Sequence, residues 1–266
     1  MRINVAALLC VLLVSVSLGS GAAGADTDKA SDESAAAEHF KKGLEHINDG
    51  RCKDAITELT KSLELDPGSS RAYTALGYAF FYSGKFEASL ECFRKAIFLN
   101  RDNADALRGI ASVYMGLGQN NEAAVYFENA IALDPDNVSP YISLGTIYND
   151  KKRFIEAIAL LKKAAQISPG LNTAYYELGR AYREIGAFDL AIRNYEKCLS
   201  FNPNFHKAYL PLSECYSSKA DFRNAYSCAI AAKRLDPLDE EARSEIKRLY
   251  RIIIKEKSRR AEDAPA

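Results

Sequence analysis

The chain has 266 residues, and its 35 lysines and arginines balance its 35 aspartates and glutamates. A bulk nucleic-acid-binding protein usually shows a clear basic excess, so this balance argues against that class. Hydrophobic residues make up 48% of the chain, which is too many for a disordered polyelectrolyte. Composition therefore indicates an ordered protein, and periodicity has to decide between one large domain and an array of repeats.

The first 25 residues are predicted to form an export signal. Met1 and Arg2 precede an uncharged run that starts with a dense apolar stretch and ends in small residues at 23–25. A charged start, an apolar core and small residues at a cleavage position are typical of a secretory signal peptide. The alternative is an uncleaved membrane anchor, since about 20 apolar residues suffice to span a bilayer. In either case we expect the rest of the chain to be delivered across a membrane, with membrane contact only through this segment.

Residues 26–35 differ in composition from what precedes and follows them, with four acidic residues and one lysine. Such a segment has too little apolar surface to fold, so a disordered acidic linker is expected here. No second apolar run of about 20 residues follows, so no further membrane span is predicted.

An internal repeat runs through the rest of the chain. Five of the eight prolines stand 68, 34, 34 and 34 residues apart, at Pro67, Pro135, Pro169, Pro203 and Pro237. Small residues keep the same phase, at Gly43, Gly77, Ala111, Gly145, Gly179 and Ser213. A fixed period of this length indicates an array of supersecondary units. Six units follow from it, at 36–69, 70–103, 104–137, 138–171, 172–205 and 206–239.

Each unit is predicted to contain two helices. In unit five, Tyr175, Leu178 and Tyr182 are spaced as one face of a helix, and Ala191 and Tyr195 start the same pattern on a second helix. The turn between the two helices is marked by glycine, which adopts a left-handed backbone easily, at Gly50, Gly84, Gly118 and Gly186. The small residue on the first-helix face would let the second helix approach closely.

These columns resemble the tetratricopeptide repeat over residues 36–239. The resemblance implies an all-α fold, a right-handed superhelical solenoid of six helix pairs. Unit one fits less well, because His39 occupies a normally apolar column. A shift by one residue would make its buried stripe Phe40, Leu44 and Ile47. Unit six also departs from the pattern, with Pro211 early in its first helix and Ala220 where a turn glycine is usual.

A single capping helix is predicted at 240–257, followed by a disordered tail at 258–266. Apolar residues recur there at helical spacing, at Ile246, Leu249, Tyr250 and Ile253. A solenoid needs an end with a polar outer face, because its last repeat otherwise exposes a stacking surface. The eight basic residues between 243 and 260 are interpreted as solvated cations on this cap, with contact to an anionic surface as the alternative.

The resemblance also implies a peptide-binding groove lined by first-helix side chains. The residues at the positions that correspond to the groove in each repeat are Arg71, Thr74, Tyr78, Phe81, Tyr82, Asp105, Arg108, Ser112, Met115, Ile142, Thr146, Asn149, Tyr176, Arg180, Arg183, Lys207 and Glu214. Some family members hold a terminal carboxylate with lysine and asparagine in set columns. Those columns contain other residues here, Phe40, Leu44, Ala75, Asp105 and Gly109, so binding of chaperone tails is not expected.

Two interpretations of the groove stay open. In the first, an extended or helical peptide is anchored by apolar contacts at units two and three and by an acidic group near unit five, where Arg180 and Arg183 supply donors. In the second, Phe81 and Tyr82 pack against an adjoining repeat, and the two arginines pair with acidic residues of the chain itself, namely Asp150, Glu177 or Glu184.

Catalytic chemistry is not indicated. The chain lacks a glycine-rich phosphate loop, a nucleophile elbow and a CxxC pair, and His39 and His46 stand seven residues apart, where a helical metal pair needs four. No catalytic, cofactor-binding or metal residue is therefore predicted. Cys198 and Cys215 lie on helices that should stack, so they are a candidate disulfide if their Cα atoms fall within about 7 Å.

The sequence thus predicts an exported, non-catalytic protein that binds a peptide or protein partner, as a scaffold or adaptor in an envelope or secretory assembly. A periplasmic or secreted location is the simplest. The alternatives are a client-binding protein of the endoplasmic reticulum lumen that resembles a co-chaperone, and an accessory subunit of a polymer-modifying enzyme. No nucleic acid is expected as a partner, and the sequence leaves partner identity and oligomeric state open.

Overall fold

The computed structural model describes the backbone of residues 25–262 and the side chains of residues 31–258. The predicted export signal lies outside the described residues, apart from Ala25. Within residues 25–262 the chain is helical throughout, without a strand. None of these helices combines the length and apolar character that a bilayer crossing requires.

Thirteen α-helices follow one another along the described chain, with a short 3₁₀ turn (His206–Ala208) before α11. Their bounds are α1 (Ala25–Asn48), α2 (Cys52–Leu65), α3 (Ser70–Tyr82), α4 (Phe86–Leu99), α5 (Ala104–Gly116), α6 (Asn120–Leu133), α7 (Val138–Asp150), α8 (Phe154–Ile167), α9 (Asn172–Glu184), α10 (Phe188–Phe201), α11 (Tyr209–Ser218), α12 (Phe222–Leu235) and α13 (Glu240–Glu262). Each helix packs against the next, so α1 to α12 form six antiparallel pairs stacked into a solenoid, and α13 covers α12. The predicted all-α solenoid is confirmed.

Close helix contact within a unit depends on the small residue of the first helix. A β-carbon placed on Gly179 would lie 2.7 Å from the Tyr195 ring, which is wholly buried beneath α9. In unit one, a β-carbon on Gly43 would lie 2.5 Å from Leu59. The small residue of unit one is therefore in the same register as in the other units. Of the three residues of the suggested stripe, Phe40 and Ile47 pack against this core, whereas Leu44 does not. Leu44 is 38% exposed because it points away from this contact.

The turns between paired helices use a left-handed backbone, as predicted. Gly84 has φ of 72°, and the three other predicted turn glycines are within a few degrees of it. Lys152 and Ala220 take the same place in units four and six, each with φ of 59°. A side chain with a β-carbon is strained in this conformation, so these two turns are less favourable than the four that contain glycine.

The connections between units carry a repeated hydrogen bond. Tyr141, Tyr175 and Tyr209 each donate their hydroxyl to the carbonyl oxygen of the proline six residues earlier, over 3.1, 3.1 and 2.8 Å. This bond ties the first helix of a unit to the segment that enters it. The tyrosine and the proline that recur at 34-residue intervals in these units therefore form a hydrogen bond with each other.

The amino-terminal part of the described chain differs from the prediction. Composition predicts a disordered linker at 26–35, but α1 starts at Ala25 and includes this segment. The alanines at 35–37 are strong helix formers, and Ala36 is only 5% exposed against α2. There, the Ser62 hydroxyl donates to the Ala36 carbonyl oxygen over 2.9 Å.

The carboxyl-terminal end also differs in detail. Pro211 lies in the first turn of α11, where its missing N–H costs nothing, and α11 has only 10 residues. The capping helix α13 extends to Glu262, past the predicted end at 257, so residues 258–262 of the expected tail are helical. Its contact with α12 centres on Leu249, which is fully buried.

The candidate disulfide between Cys198 and Cys215 is not formed, since all five cysteines of the described side chains are free. The two thiols lie towards opposite ends of α9. Cys198 accepts a hydrogen bond from Asn172 at the start of α9, whereas Cys215 interacts with Arg183 near its end. Burial raises the pKa of each thiol to about 11, so both behave as small buried hydrophobic groups.

Candidate functional site

The first helices of successive units lie on the inner side of the solenoid. Contacts join α1 to α3, α3 to α5, α7 to α9 and α9 to α11, whereas second helices of successive units make no comparable contacts within the described residues. The helices that are closer together define the concave side of a curved array. Solenoids commonly bind their partners on this surface.

A pocket of about 260 Å³ opens on the concave side where α1, α3 and α5 meet. Its lining consists of Phe40, Leu44, Arg71, Thr74, Ala75, Tyr78, Asn103, Asp105 and Arg108. Five of the predicted groove residues are therefore brought together here. The remaining four are not among the predicted groove residues, and the shifted register of unit one places Phe40 and Leu44 in its core instead.

Asn103 organises the floor of this pocket. Its side-chain oxygen caps α5 by accepting from the Ala106 N–H over 2.9 Å. Its amide nitrogen donates to the hydroxyls of Ser70 and Thr74 over 2.8 and 2.9 Å. Asn103 thus links units two and three and uses all of its donors. The signal that could have found it is an asparagine directly before a predicted helix start.

Tyr78 forms one wall. Its hydroxyl donates to the carbonyl oxygen of Asp105 over 2.9 Å, and its ring packs edge-on against Phe93 with 5.0 Å between ring centroids. Burial raises the pKa of Tyr78, so the hydroxyl stays protonated and keeps this bond. The ring also stacks on Tyr82, 6.3 Å away, which extends the aromatic wall out of the pocket.

Two arginines supply the positive charge of the pocket. The Arg71 guanidinium lies over the Phe40 ring, 5.5 Å from its centroid, and has no ion-pair partner among the described side chains. Arg108 donates to the Asp105 carboxylate over 2.7 Å and lies 5.2 Å from the centroid of the Tyr78 ring. Its Nε hydrogen is buried and has no acceptor.

The groove residues predicted to make apolar contacts at units two and three, Tyr78, Phe81, Tyr82 and Met115, are only partly exposed. Phe81 packs against Phe86 of its own unit, with 5.9 Å between ring centroids. It also packs against the buried cluster that includes Ile110 and Val113 of α5, which is the contact with an adjoining repeat that the second interpretation expects. Tyr82 is 60% exposed and Met115 is 38% exposed. These two side chains are available to a partner on the concave side of units two and three.

The arginines of unit five are already paired within the chain. Arg180 lies 2.5 Å from the Asp150 carboxylate and 3.2 Å from that of Glu177. Arg183 binds Glu214 over 2.6 Å and Glu184 over 2.8 Å. For these arginines the structure has the arrangement of the second interpretation, and neither guanidinium is left without a carboxylate.

The other predicted groove residues of units four and five connect neighbouring helices. Asn149 is 4% exposed, and its amide donates to the carbonyl and carboxylate oxygens of Glu177 over 3.0 and 2.9 Å. Burial raises the pKa of Glu177, although the Asn149 hydrogen bond opposes the shift. Thr146 bonds to the same carboxylate. Tyr176 packs edge-on against Phe205, and Ile142 packs beside Tyr141.

The described residues contain no group of three or more side chains that could hold a metal ion. The Nδ1 atom of His39 lies 2.7 Å from the Glu58 carboxylate, so this side chain links α1 to α2.

Stacked helix pairs with a concave surface of first-helix side chains define an α-helical repeat protein of the protein-interaction class. Sequence comparison specifies the family. Three models of the repeat match, one described as TPR repeat at residues 77–118 and two as tetratricopeptide repeat at 104–137 and 136–203. The chain belongs to the tetratricopeptide-repeat family, and proteins of this family bind protein or peptide partners.

Known proteins of the same family are similar over parts of the chain. The Superkiller complex protein 3 of Mus musculus is 30% identical over 93 residues, which is 35% of this chain and 6% of that protein. The chain spans only 5 to 18% of the lengths of the curated relatives it matches. PilF of Pseudomonas aeruginosa has the same fold, with a TM-score of 0.73 and 21% identity over 80% of this chain and 97% of that one. YrrB, described as a TPR protein with an unusual peptide-binding site, matches with a TM-score of 0.61 and 21% identity over 71% and 97% of the two chains.

Proposed function

We propose that this chain is a non-catalytic scaffold or adaptor that binds a peptide or protein partner on the concave side of units one to three. The pocket between α1, α3 and α5 carries the proposal, because it combines an apolar wall with the Arg71 guanidinium, which forms no ion pair with the described side chains. The peptide-binding site described for YrrB supports a role of this kind for a related fold.

The exposed apolar side chains near the pocket supply the contact area. Leu44 lies in the pocket, and Tyr82 and Met115 extend the apolar surface along units two and three. Exposed apolar groups that cluster on one face often mark an interaction site. The chain has zero net charge, so no overall field selects the partner, and selectivity has to come from local contacts.

Export through the predicted signal at 1–25 would place this surface in the periplasm or outside the cell. To test the location, the full chain is expressed with a carboxyl-terminal tag, and the processed form is isolated and sequenced from its amino terminus. We expect it to start at Asp26 and to be accessible to protease when the outer compartment is opened. A chain that stays in the cytoplasm with its amino terminus intact would contradict export.

The binding surface is tested with a photo-crosslinking residue at Leu44 and, as a matched control, at Phe98. Both positions are exposed and apolar, but Phe98 is 78% exposed on the second helix α4, away from the concave side. We expect one discrete partner to crosslink from position 44 and not from position 98. Tyr78→Ala should remove this crosslink, whereas equal crosslinking at both positions would refute the proposed surface.

The crosslinking experiment also distinguishes the two alternative functions, a client-binding chaperone and an accessory subunit of an enzyme. Capture of many unfolded clients from position 44 would favour a chaperone-like protein. Capture of one enzyme whose activity falls when this chain is removed would favour an accessory subunit.

A further inference from the structure

We propose that the outer face of the capping helix α13 docks on an anionic lipid bilayer, which it contacts without spanning. This face lies at the opposite end of the solenoid from the pocket of units one to three, so it would add a second site to the proposed function. The sequence predicts membrane contact only through 1–25 and offers an anionic surface as the alternative interpretation of the cap. The packing and pairing of the α13 side chains favour that alternative.

The capping helix is longer than the helix it covers. α13 has 23 residues and α12 has 14, which correspond to about 34 and 21 Å of helix. Ile246 and Leu249 pack into the contact with α12, whereas every side chain from Ile254 to Ser258 is exposed. Covering the last repeat therefore does not account for the carboxyl-terminal part of α13.

Three cations follow one another along the outer face of α13. Lys247, Arg251 and Lys255 are four residues apart, so they form one row on the helix surface, and all three are exposed. None of them forms an ion pair with a described side chain. The nearby Glu245 carboxylate lies 2.6 Å from Arg248 instead. The row therefore keeps its positive charge.

The neighbours of the row in α12 and in the carboxyl-terminal half of α13 are also mainly basic. Residues 246–258 include five basic residues and one acidic residue, Glu256. Glu256 lines a small pocket together with Ile253 and with Arg223 of α12. α12 itself contains two arginines and one lysine and no acidic residue. This end of the solenoid is thus positively charged, although the whole chain has zero net charge.

Two apolar side chains lie beside the cations. Tyr250 and Ile254 are one turn apart, next to the row, and are 55% and 43% exposed. A capping helix needs a polar outer face, which these two side chains do not provide. At a bilayer, tyrosine lies at the level of the headgroups, and an aliphatic side chain enters the boundary with the acyl chains.

The shape and chemistry of this face favour a bilayer over a protein or a nucleic acid. A row on the outer side of a terminal helix is convex and suits a flat surface, whereas solenoids bind macromolecules on concave surfaces. Two of the three cations are lysines, whose flexible point charges fit the variable positions of lipid phosphates. A nucleic-acid backbone would pair with the cations but leave Ile254 in water. Because only two apolar side chains are partly exposed, most of the attraction has to come from charge.

The test uses the full chain with a single fluorescent reporter. The sequence contains no tryptophan, so Ile254→Trp introduces the only indole. Phe98→Trp is the matched reporter, because Phe98 is also exposed and apolar but lies on α4. Emission is recorded with vesicles of phosphatidylcholine alone and with vesicles that also contain phosphatidylglycerol, an anionic lipid. A local reporter is needed because the apolar segment within 1–25 can attach the chain to either kind of vesicle.

We expect a blue shift at position 254 with the anionic vesicles only, and no shift at position 98 with either kind. Raising the salt concentration to about 1 M should remove the shift, since the Debye length then falls to about 3 Å.

The triple variant Lys247→Gln, Arg251→Gln, Lys255→Gln should lower the equilibrium constant for docking at position 254 roughly hundredfold. Each cation close to an anionic surface changes this constant about fivefold. The matched control is Lys53→Gln, Lys85→Gln, Arg94→Gln, which removes the same charge from exposed positions of units one and two. It should leave the shift at position 254 unchanged. Both variants alter exposed side chains, and circular dichroism checks that they are folded.

Three results would overturn the proposal. They are unchanged emission at position 254 on anionic vesicles, an equal shift on both kinds of vesicle, and equal effects of the two triple variants. If the reporter does not respond to lipid and a photo-crosslinker at position 254 captures one acidic protein, the face binds a protein instead. None of these results depends on crosslinking from Leu44, so the proposed function is tested separately.

Discussion

The Phe93 ring lies so close to the backbone of Gly109 that a β-carbon there would be 2.3 Å from its Cζ atom. On its other side the ring meets Gly77, where a β-carbon would be 2.6 Å from Cε1. Phe93 belongs to the second helix of unit two, Gly77 to the first helix of the same unit, and Gly109 to the first helix of unit three. One fully buried ring therefore joins two units through two glycines.

Gly109→Ala should lower the free energy of unfolding by about 1–3 kcal/mol, because the added methyl group overpacks the Phe93 contact. Alanine favours a helix over glycine by up to about 1 kcal/mol, which offsets part of this loss. Urea unfolding followed by circular dichroism measures the net change. Gly170→Ala, in the turn before α9, is a control for the added methyl group alone, since nothing lies within 4 Å of the added atom.

The cause is checked in a Phe93→Leu background. A smaller side chain leaves room for the methyl group, so Gly109→Ala should cost less there than in the unmodified chain. An equal cost in both backgrounds would show that the Phe93 contact is not responsible.

Ala220→Gly should raise the free energy of unfolding by about 1 kcal/mol, because glycine removes the strain of a β-carbon at positive φ. Ala220 has φ of 59° and is exposed, so no packing is lost. The reverse change at an equivalent turn, Gly84→Ala at φ of 72°, should destabilise the protein by a similar amount. Thermal and urea unfolding of the two variants check the opposite signs, and a loss of stability in Ala220→Gly would refute this account.

Tyr195→Phe should leave stability unchanged or raise it, since the Tyr195 hydroxyl is buried without a hydrogen-bond partner. Tyr175→Phe should lower stability by about 1 kcal/mol, because the Tyr175 hydroxyl donates to the Pro169 carbonyl oxygen over 3.1 Å. The two variants remove the same atom from neighbouring helices of unit five. Urea midpoints that shift equally would show that the hydrogen bond to the proline carbonyl does not matter.

Glu58 should make the stability of unit one depend on pH in acid. Hydrogen bonds from Lys61 and then from His39 lower the pKa of Glu58 from its usual 4.5 to about 2. A lowered carboxyl pKa stabilises the folded state above the unfolded value, so this contribution is present above pH 4.5 and is lost as pH falls through about 2. Glu58→Gln should remove this part of the pH dependence.

The measurement is hydrogen exchange of α1 and α2 amides between about pH 2 and pH 5, corrected for intrinsic rates, because terminal units open locally. Glu64→Gln is the control, since Glu64 is an exposed carboxylate on the same helix without an ion-pair partner among the described residues. A Glu58→Gln variant that keeps the full pH dependence would contradict the assignment.

Much of the fold could be predicted because its signals are local. The helix faces, the turn glycines such as Gly84 and the proline column all depend on residues within one unit of 34. Errors occur where that pattern is absent. The acidic composition of 26–35 predicts a linker, but packing of Ala36 against α2 allows α1 to include this segment. A one-residue shift of unit one places Leu44 in the core, but the contact of Gly43 with Leu59 and the exposure of Leu44 show that Leu44 is not part of it.

The lining of the concave pocket was predictable only in part. The repeat period places Arg71, Thr74 and Tyr78 on α3 and Arg108 on α5, as the structure has them. It does not identify Asn103, whose side chain binds Ser70 of α3 and caps α5 through the Ala106 N–H. The repeat period also cannot distinguish an arginine that forms an ion pair from one that does not. Arg71, Arg108, Arg180 and Arg183 are all assigned to the groove in the same way, from their positions on the first helices.

The sequence by itself determined the repeat length, the pairing of helices and the class of protein, since each depends on periodic contacts within 34 residues. Only the tertiary structure decided which of the predicted groove arginines form ion pairs within the chain. Arg180 reaches Asp150 and Arg183 reaches Glu214, partners 30 and 31 residues away. Stacking of neighbouring units brings these residues together and neutralises both arginines. Arg71 instead lies over the ring of Phe40, 31 residues away, and forms no ion pair with the described side chains.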